Sequence, residues 1–258
     1  MTKELDTAIE AAKAAGEVLR EGFGGKRTLR YKGEVDIVTE MDERAERIVL
    51  EILTEAFPDY GILAEESGLL EREGDGRWVV DPLDGTTNYA HGLPIFSVSI
   101  ALQRAGEVFC GVVHDPMRDE TFVAERGAGA TANGRPIEVS GTNELIRSLL
   151  ATGFPYDRNE MPEAVEVFGR FAGLTRSIRR LGSAALDLCY VAAGRLDGYY
   201  EGSISPWDIA AGSLIVQEAG GKVTDYGGRE FSIENKEILA SNGVLHDDIA
   251  NLIGKQNK

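Results

Sequence analysis

The run Asp81-Pro82-Leu83-Asp84-Gly85-Thr86-Thr87-Asn88 sets two carboxylates three positions apart, beside a glycine and two threonines. It follows the apolar triplet Trp78-Val79-Val80, which reads as a short buried strand ending at Asp81. The carboxylates therefore leave a rigid sheet where it hands over to a loop. Hard divalent cations take oxygen ligands of this kind, and the backbone N–H groups and hydroxyls of Gly85, Thr86 and Thr87 suit a phosphate. The motif thus carries half of a metal site and half of a phosphate cradle.

Other carboxylates stand at the ends of other expected elements. Glu65 follows the short strand Ile62-Leu63-Ala64, and Asp42 and Asp208 open helices. Each also has a plain structural reading. Asp84-Gly85 makes a turn, and Glu65-Glu66 a solvated strand end. Thr39 with Asp42 forms a capping box, as does Ser205 with Asp208, where Pro206 takes the first helical position. Taken together they carry more. Mg²⁺ uses one or two carboxylates per ion, so Glu65, Asp81, Asp84 and Asp208 suit two or three ions rather than one.

Rival phosphate chemistries fail on the residues. In the haloacid-dehalogenase pattern Asp-x-Asp-Gly-Thr the first Asp is the nucleophile, and Pro82 occupies that place here. A P-loop and a Gly-x-Ser-x-Gly elbow are both missing from the chain. Water is then the expected nucleophile. His91, His114 and His246 have no zinc spacing.

These groups need a scaffold. Helical periodicity predicts helices over 3–22, with Ile9, Ala12, Ala15, Val18 and Leu19 on one face, and over 40–57, with Ala45, Ile48, Val49 and Ile52. Alternation predicts antiparallel strands over 97–102, 107–114 and 121–125. Beyond about residue 140 strands at 148–152, 177–180, 196–200, 223–224 and 238–240 alternate with helices at 161–172, 183–194, 206–219 and 244–254. The expected organisation is an α+β half over 1–140, carrying most of the metal ligands, and an α/β half over 141–258, carrying Asp208 and the substrate pocket, as one unit.

Composition narrows the function. The chain has 258 residues, 43% of them hydrophobic, enough for a sizeable core. Its 27 basic and 43 acidic residues give a net charge of −16, which repels nucleic acid and leaves phosphate handling to local cations. Cys110 and Cys189 sit in apolar runs outside any CxxC pair and read as buried thiols of a cytoplasmic protein. The charged start Lys3-Glu4-Leu5-Asp6 gives no sign of a signal peptide, and no apolar stretch reaches the about 18 residues of a membrane span.

Three separated segments, Ala64-Glu65-Glu66-Ser67, Asp81 to Asn88, and Trp207 to Gly212 continued by Glu218-Ala219-Gly220-Gly221, resemble in order and spacing the signatures of the inositol monophosphatase family. The likeness runs from the first helix to about His246. It implies a layered αβαβα sandwich of the sugar-phosphatase type, a homodimer, and Mg²⁺-dependent hydrolysis of phosphate monoesters, with Mn²⁺ as an alternative ion. By this resemblance Glu65, Asp81, the Leu83 carbonyl, Asp84 and Asp208 hold metal. Glu65 and Thr86 hold the attacking water, with Asp42 behind Thr86. Asp84, Gly85, Thr86, Thr87, Gly182, Ser183, Ala184, Glu201 and Asp208 bind substrate, and Arg179 lies near the pocket. The segment Lys32-Gly33-Glu34-Val35-Asp36 matches a region that helps hold further ions. Ala64 replaces the family's usual glycine and is tolerable if its φ is negative.

The expected substrate is a small phosphorylated polyol or sugar, inositol 1-phosphate first and fructose 1,6-bisphosphate second. Histidinol phosphate, NADP and 3′-phosphoadenosine 5′-phosphate follow. A regulatory binding protein built on this scaffold and a calcium-binding module are the non-enzymatic alternatives.

Overall fold

A helix that is apolar all round belongs inside a protein, and one with a single apolar stripe belongs on its outside. Both kinds occur here. In the computed structural model, which describes residues 2–25, 29–31 and 37–254, the chain runs α1 (Lys3–Gly22), β1 (Leu29–Tyr31), β2 (Ile37–Thr39), α2 (Glu40–Ala56), β3 (Gly61–Ala64), β4 (Gly68–Leu70), β5 (Gly76–Asp84) and α3 (Thr86–His91). It continues through β6 (Ser97–Arg104), β7 (Glu107–Asp115), β8 (Glu120–Glu125), β9 (Ala130–Ala132), β10 (Arg135–Pro136), β11 (Leu149–Thr152), α4 (Met161–Phe171), β12 (Ser177–Arg179) and α5 (Ala184–Ala192). It ends with β13 (Gly198–Gly202), α6 (Pro206–Glu218), β14 (Lys222–Thr224), β15 (Glu237–Ser241) and α7 (His246–Ile253). The segment 32–36, expected to help hold ions, lies outside the described residues.

In α6 every residue from Ile209 to Val216 is buried, so this helix lies in the middle of the molecule. In α1 the buried set is a stripe of Leu5, Ala8, Ala12, Ala15 and Leu19, while Ile9 and Val18 sit half-buried at its rim. Strands in the order β10-β9-β8-β7-β6-β5-β3-β4 form one sheet, antiparallel except for the β3–β5 pair. A second sheet runs β12-β11-β13-β15-β14, with β11 parallel to β12 and β13 and the other pairs antiparallel.

α1 and α2 cover one face of the larger sheet, and α5 and α6 fill the space between the two sheets. α4 and α7 close the outer face of the smaller sheet through Val167, Phe171, Ile249 and Leu252. The layers are α, β, α, β, α, the sandwich expected from the sequence.

The middle layer packs closely. A β-carbon on Gly111 of β7 would lie 2.9 Å from Ala211 Cα and 3.0 Å from its carbonyl oxygen. These are backbone atoms of α6, so the helix itself would have to move. Gly111→Ala is expected to cost about 1–3 kcal/mol, read as a lower urea midpoint at unchanged slope. An unaltered midpoint would show that α6 slides freely on the sheet.

Two local differences from the sequence expectation bear on the site. The strand expected to stop at Asp81 continues to Asp84, with a slip: Asp81 pairs with Ser99, and pairing resumes at Asp84 opposite Ser97. Pro82, which cannot donate to the ladder, sits in this bulge. The strand expected over 196–200 lies over 198–202, because Leu196 and Asp197 are held by the Tyr190 and Leu149 carbonyls instead.

Candidate active site

In a regular strand, residues three apart face opposite sides. The bulge at Pro82 cancels that alternation, so Asp81 and Asp84 open into one pocket. Asp208 joins them from the first turn of α6. Carboxylate oxygens of Asp81, Asp84 and Asp208 all lie within 4.8 Å of one another. Glu65, at the end of β3, lines the same pocket of about 280 Å³. Ala64 belongs to β3 opposite Val80 and is not among the described residues with positive φ, so the replaced glycine leaves no strain.

Each of the three aspartates is held from one side. Asp81 Oδ1 accepts the Leu83 N–H at 2.9 Å. Asp208 Oδ2 accepts the Ser205 N–H at 2.9 Å, the reciprocal half of a capping box. The Ser99 hydroxyl bonds the Trp207 carbonyl at 3.2 Å and docks this helix start on β6. Asp84 Oδ2 accepts the Ser183 hydroxyl at 2.6 Å and the Ala185 N–H at 2.8 Å, and Oδ1 the Ala184 N–H at 3.2 Å. The N-terminus of α5 thus clamps Asp84, where its orphan donors and dipole favour an anion. Both capping boxes expected from the sequence are present, and the capping carboxylates are also the ones that meet or support the pocket.

Charge is concentrated beyond what water could screen. Burial, then Glu65, Asp84 and Asp208, push the Asp81 carboxyl well above the carboxylate range. Burial, then Asp84 and Glu65, do the same to Asp208. Burial raises Asp84 to about 6 against its four donors. A bound cation removes this repulsion, and an all-oxygen donor set fits a hard divalent ion. The residues present therefore fit a metal.

Thr86 opens α3 at the pocket wall. Its hydroxyl lies 2.8 Å from Asp42 Oδ1 and 3.0 Å from the Leu83 carbonyl. Asp42 is fully buried and also accepts the Thr39 N–H at 2.8 Å and hydroxyl at 2.6 Å. Burial raises its pKa, and these three donors oppose the rise. Gly85 precedes α3 at φ +101°, where a β-carbon would meet the Ile95 and Gly182 carbonyls at 3.0 and 3.1 Å. Only glycine lets the chain turn there. Asn88 donates to the carbonyls of Ile95 and Leu181 and ties the Gly182 loop to α3.

Gly182, Ser183, Ala184 and Glu201 line the pocket with Leu83, Gly85 and Thr86, whereas Asp42 stands behind Thr86 and Thr87 falls outside the lining. Glu201, on β13, accepts the Tyr199 hydroxyl, and burial raises its carboxyl to about 7. Arg179 differs from expectation: it is exposed, bonded to Ser177 and the Ile178 carbonyl, and the arginine lining the pocket is its neighbour Arg180. Alternation along the end of β12 decides between them, and the sequence alone does not reveal which of two adjacent arginines faces inward.

The sequence reading missed Asp187 and the loop after β11, Gly153 to Tyr156, which also line the pocket. A β-carbon at Gly153 would collide with the Glu201 carboxyl, so the loop closes directly on that group. The lining contains no histidine: His91 is exposed, His114 bonds Thr121, and His246 bonds Thr224 and Ser241. Cys110 and Cys189 are free and buried, as expected.

This sandwich and its pocket define a phosphatase of the sugar-phosphatase type. The profile of the inositol monophosphatase family matches residues 1–258, and the chain belongs to that family. It is 43% identical to the Nus factor SuhB of Pasteurella multocida, covering 98% of this chain and 96% of that one. It is also 43% identical to the fructose-1,6-bisphosphatase/inositol-1-monophosphatase of Thermotoga maritima, covering 97% and 96%. The solved inositol monophosphatase of Anabaena (Nostoc) superposes with a TM-score of 0.88 at 49% identity, covering 96% of this chain and 94% of that one. The protein is thus an enzyme, a phosphoric monoester hydrolase. Among the described residues no helix is long and apolar enough to cross a membrane.

Proposed function

We propose that the protein hydrolyses inositol 1-phosphate to inositol and inorganic phosphate, using two or three Mg²⁺ ions and water as nucleophile. The observation that carries this reading is the meeting of Asp81, Asp84 and Asp208 within 4.8 Å, in the pocket that Thr86 also lines.

In this reading Glu65, Asp81, Asp84, Asp208 and the Leu83 carbonyl hold the ions. When bound, Mg²⁺ supplies charge neutralisation for the phosphate and its leaving group and makes water more acidic. The Thr86 hydroxyl gives its proton to Asp42 in a hydrogen bond and turns its lone pairs to the pocket. There, with Glu65, it accepts a hydrogen bond from the attacking water and orients it. Gly85, Thr86 and Thr87 offer backbone N–H groups to the phosphate at the start of α3. Glu201, Ser183 and Ala184 line the part of the pocket that takes the polyol, and Glu201 accepts from its hydroxyls.

The reading extends to a cytoplasmic homodimer that binds no nucleic acid, with residues 1–140 and 141–258 acting as one unit. The clamp of α5 on Asp84 supports the last point, the −16 charge the absence of nucleic acid, and the buried thiols a reducing compartment. A second reading, fructose 1,6-bisphosphate, draws support from Arg180, an exposed cation at the pocket that suits a second phosphate.

The test compares kcat/KM for phosphate release from inositol 1-phosphate, fructose 1,6-bisphosphate, histidinol phosphate, NADP and 3′-phosphoadenosine 5′-phosphate, with Mg²⁺ and after chelation. The highest value should fall to inositol 1-phosphate, and chelation should abolish release. A higher value for another ester moves the substrate assignment to it.

A further inference from the structure

We propose that Asp187 is a specificity-determining residue, accepting a hydrogen bond from a hydroxyl of the substrate's polyol beside Glu201. The inference rests on the substrate reading above and adds a contact to it.

Asp187 lies in the first turn of α5 between Leu186 and Leu188, both fully buried. Its own exposure is 2%, it lines the pocket, and its Oδ1 has no hydrogen-bond partner. A buried carboxyl with an unused acceptor is costly, and folded proteins rarely keep one without a use. The fold itself provides none. Ser183 caps α5, its hydroxyl accepting the Leu186 N–H. Arg180 is the cation nearest in effect to both Asp187 and Glu201, yet it stays exposed and makes no ion pair with either. Asp187 also lies outside the group of carboxylates whose oxygens meet within 4.8 Å. It faces the same cavity as Asp81, Asp84 and Asp208 without joining the close contact of their oxygens.

What satisfies such a group is a donor brought in by the ligand. Carboxyl oxygens accept hydrogen bonds in either protonation state, so Asp187 and Glu201 together suit a molecule that carries several hydroxyls. A site built around acceptors discriminates strongly against ligands that lack the matching donors, because the acceptors are then left unpaired in a dry pocket.

The experiment uses the Mg²⁺-loaded full-length enzyme and two substrates, inositol 1-phosphate and 4-nitrophenyl phosphate, which has no hydroxyl on its leaving ring. The quantity read is the ratio of their kcat/KM values. Asp187→Ala is expected to lower that ratio about tenfold, chiefly through KM for inositol 1-phosphate, the size set by one hydrogen bond to a buried carboxyl oxygen. Asp187→Asn keeps one acceptor and the shape of the side chain, and should restore most of the ratio. An unchanged ratio in Asp187→Ala overturns the inference, whether both activities fall together or neither moves. If that variant does not fold, Asp187→Leu, of similar shape and without an acceptor, decides: an increased KM confined to inositol 1-phosphate supports the contact, and an equal change for both esters, or no change, overturns it. Wild-type enzyme that cleaves 4-nitrophenyl phosphate but not inositol 1-phosphate overturns the substrate reading first, and this contact with it.

Discussion

Asp81→Asn is expected to lower kcat for phosphate release by about a thousandfold or more, equivalent to about 4 kcal/mol of transition-state stabilisation. The asparagine fits the same space and still accepts the Leu83 N–H, so the bulge at Pro82 keeps its shape. What it removes is one negative charge from a pocket in which Asp81 faces Glu65, Asp84 and Asp208. Two opposite effects follow. The metal-free protein loses a source of self-repulsion and should melt no lower than wild type. On the proposed ion set the Mg²⁺-loaded protein loses a ligand, so the rise in Tm expected from Mg²⁺ in the wild type should shrink. Kinetics and calorimetry with and without Mg²⁺ measure both. Activity within tenfold of wild type would remove Asp81 from the ion-holding set.

Thr86→Val is expected to reduce kcat by about a hundredfold with KM within about threefold, the range of a misplaced attacking water. Valine matches the shape of threonine and deletes only the hydroxyl. Asp42 then keeps its two bonds from Thr39 and loses the third, so α2 stays capped and stability falls by about 1 kcal/mol. Thr86→Ser returns a hydroxyl and should recover most of the rate. Turnover at the wild-type rate in the valine variant would show that the Thr86–Asp42 pair only fastens α3 to α2.

Much of this arrangement was legible in the residues. Regular periodicity marked α1, α2 and the strands β6, β7 and β8 of the larger sheet, because long amphipathic or alternating segments leave few alternatives. The two capping boxes were equally plain, since their reach is three residues. Asp42 and Asp208 also show that a cap and a site residue need not compete: the side chain that ends a helix is already fixed in direction, and the fold then aims it at the pocket.

What resisted reading depends on distance in space. No local pattern tells that α5 will place its first N–H groups on Asp84, 100 positions earlier in the chain. In the sequence nothing marks Asp187 off from other acids in a first helical turn, and only its burial in the folded pocket shows that it is turned inward. The choice between Arg179 and Arg180 rests on where a three-residue strand ends. β4, β9 and β10 are two or three residues long, too short for alternation to stand out.

The clamp of α5 on Asp84 carries a consequence for how this protein matures. The larger sheet is complete in the chain by Pro136, whereas the residues that grip Asp84 begin at Ser183 and Asp208 comes later still. A nascent or refolding molecule can therefore acquire its first sheet and remain inert. A chain that has not yet placed α5 and α6 against that sheet lacks both the clamp on Asp84 and the Asp208 carboxylate, so the pocket is completed by the later half of the chain.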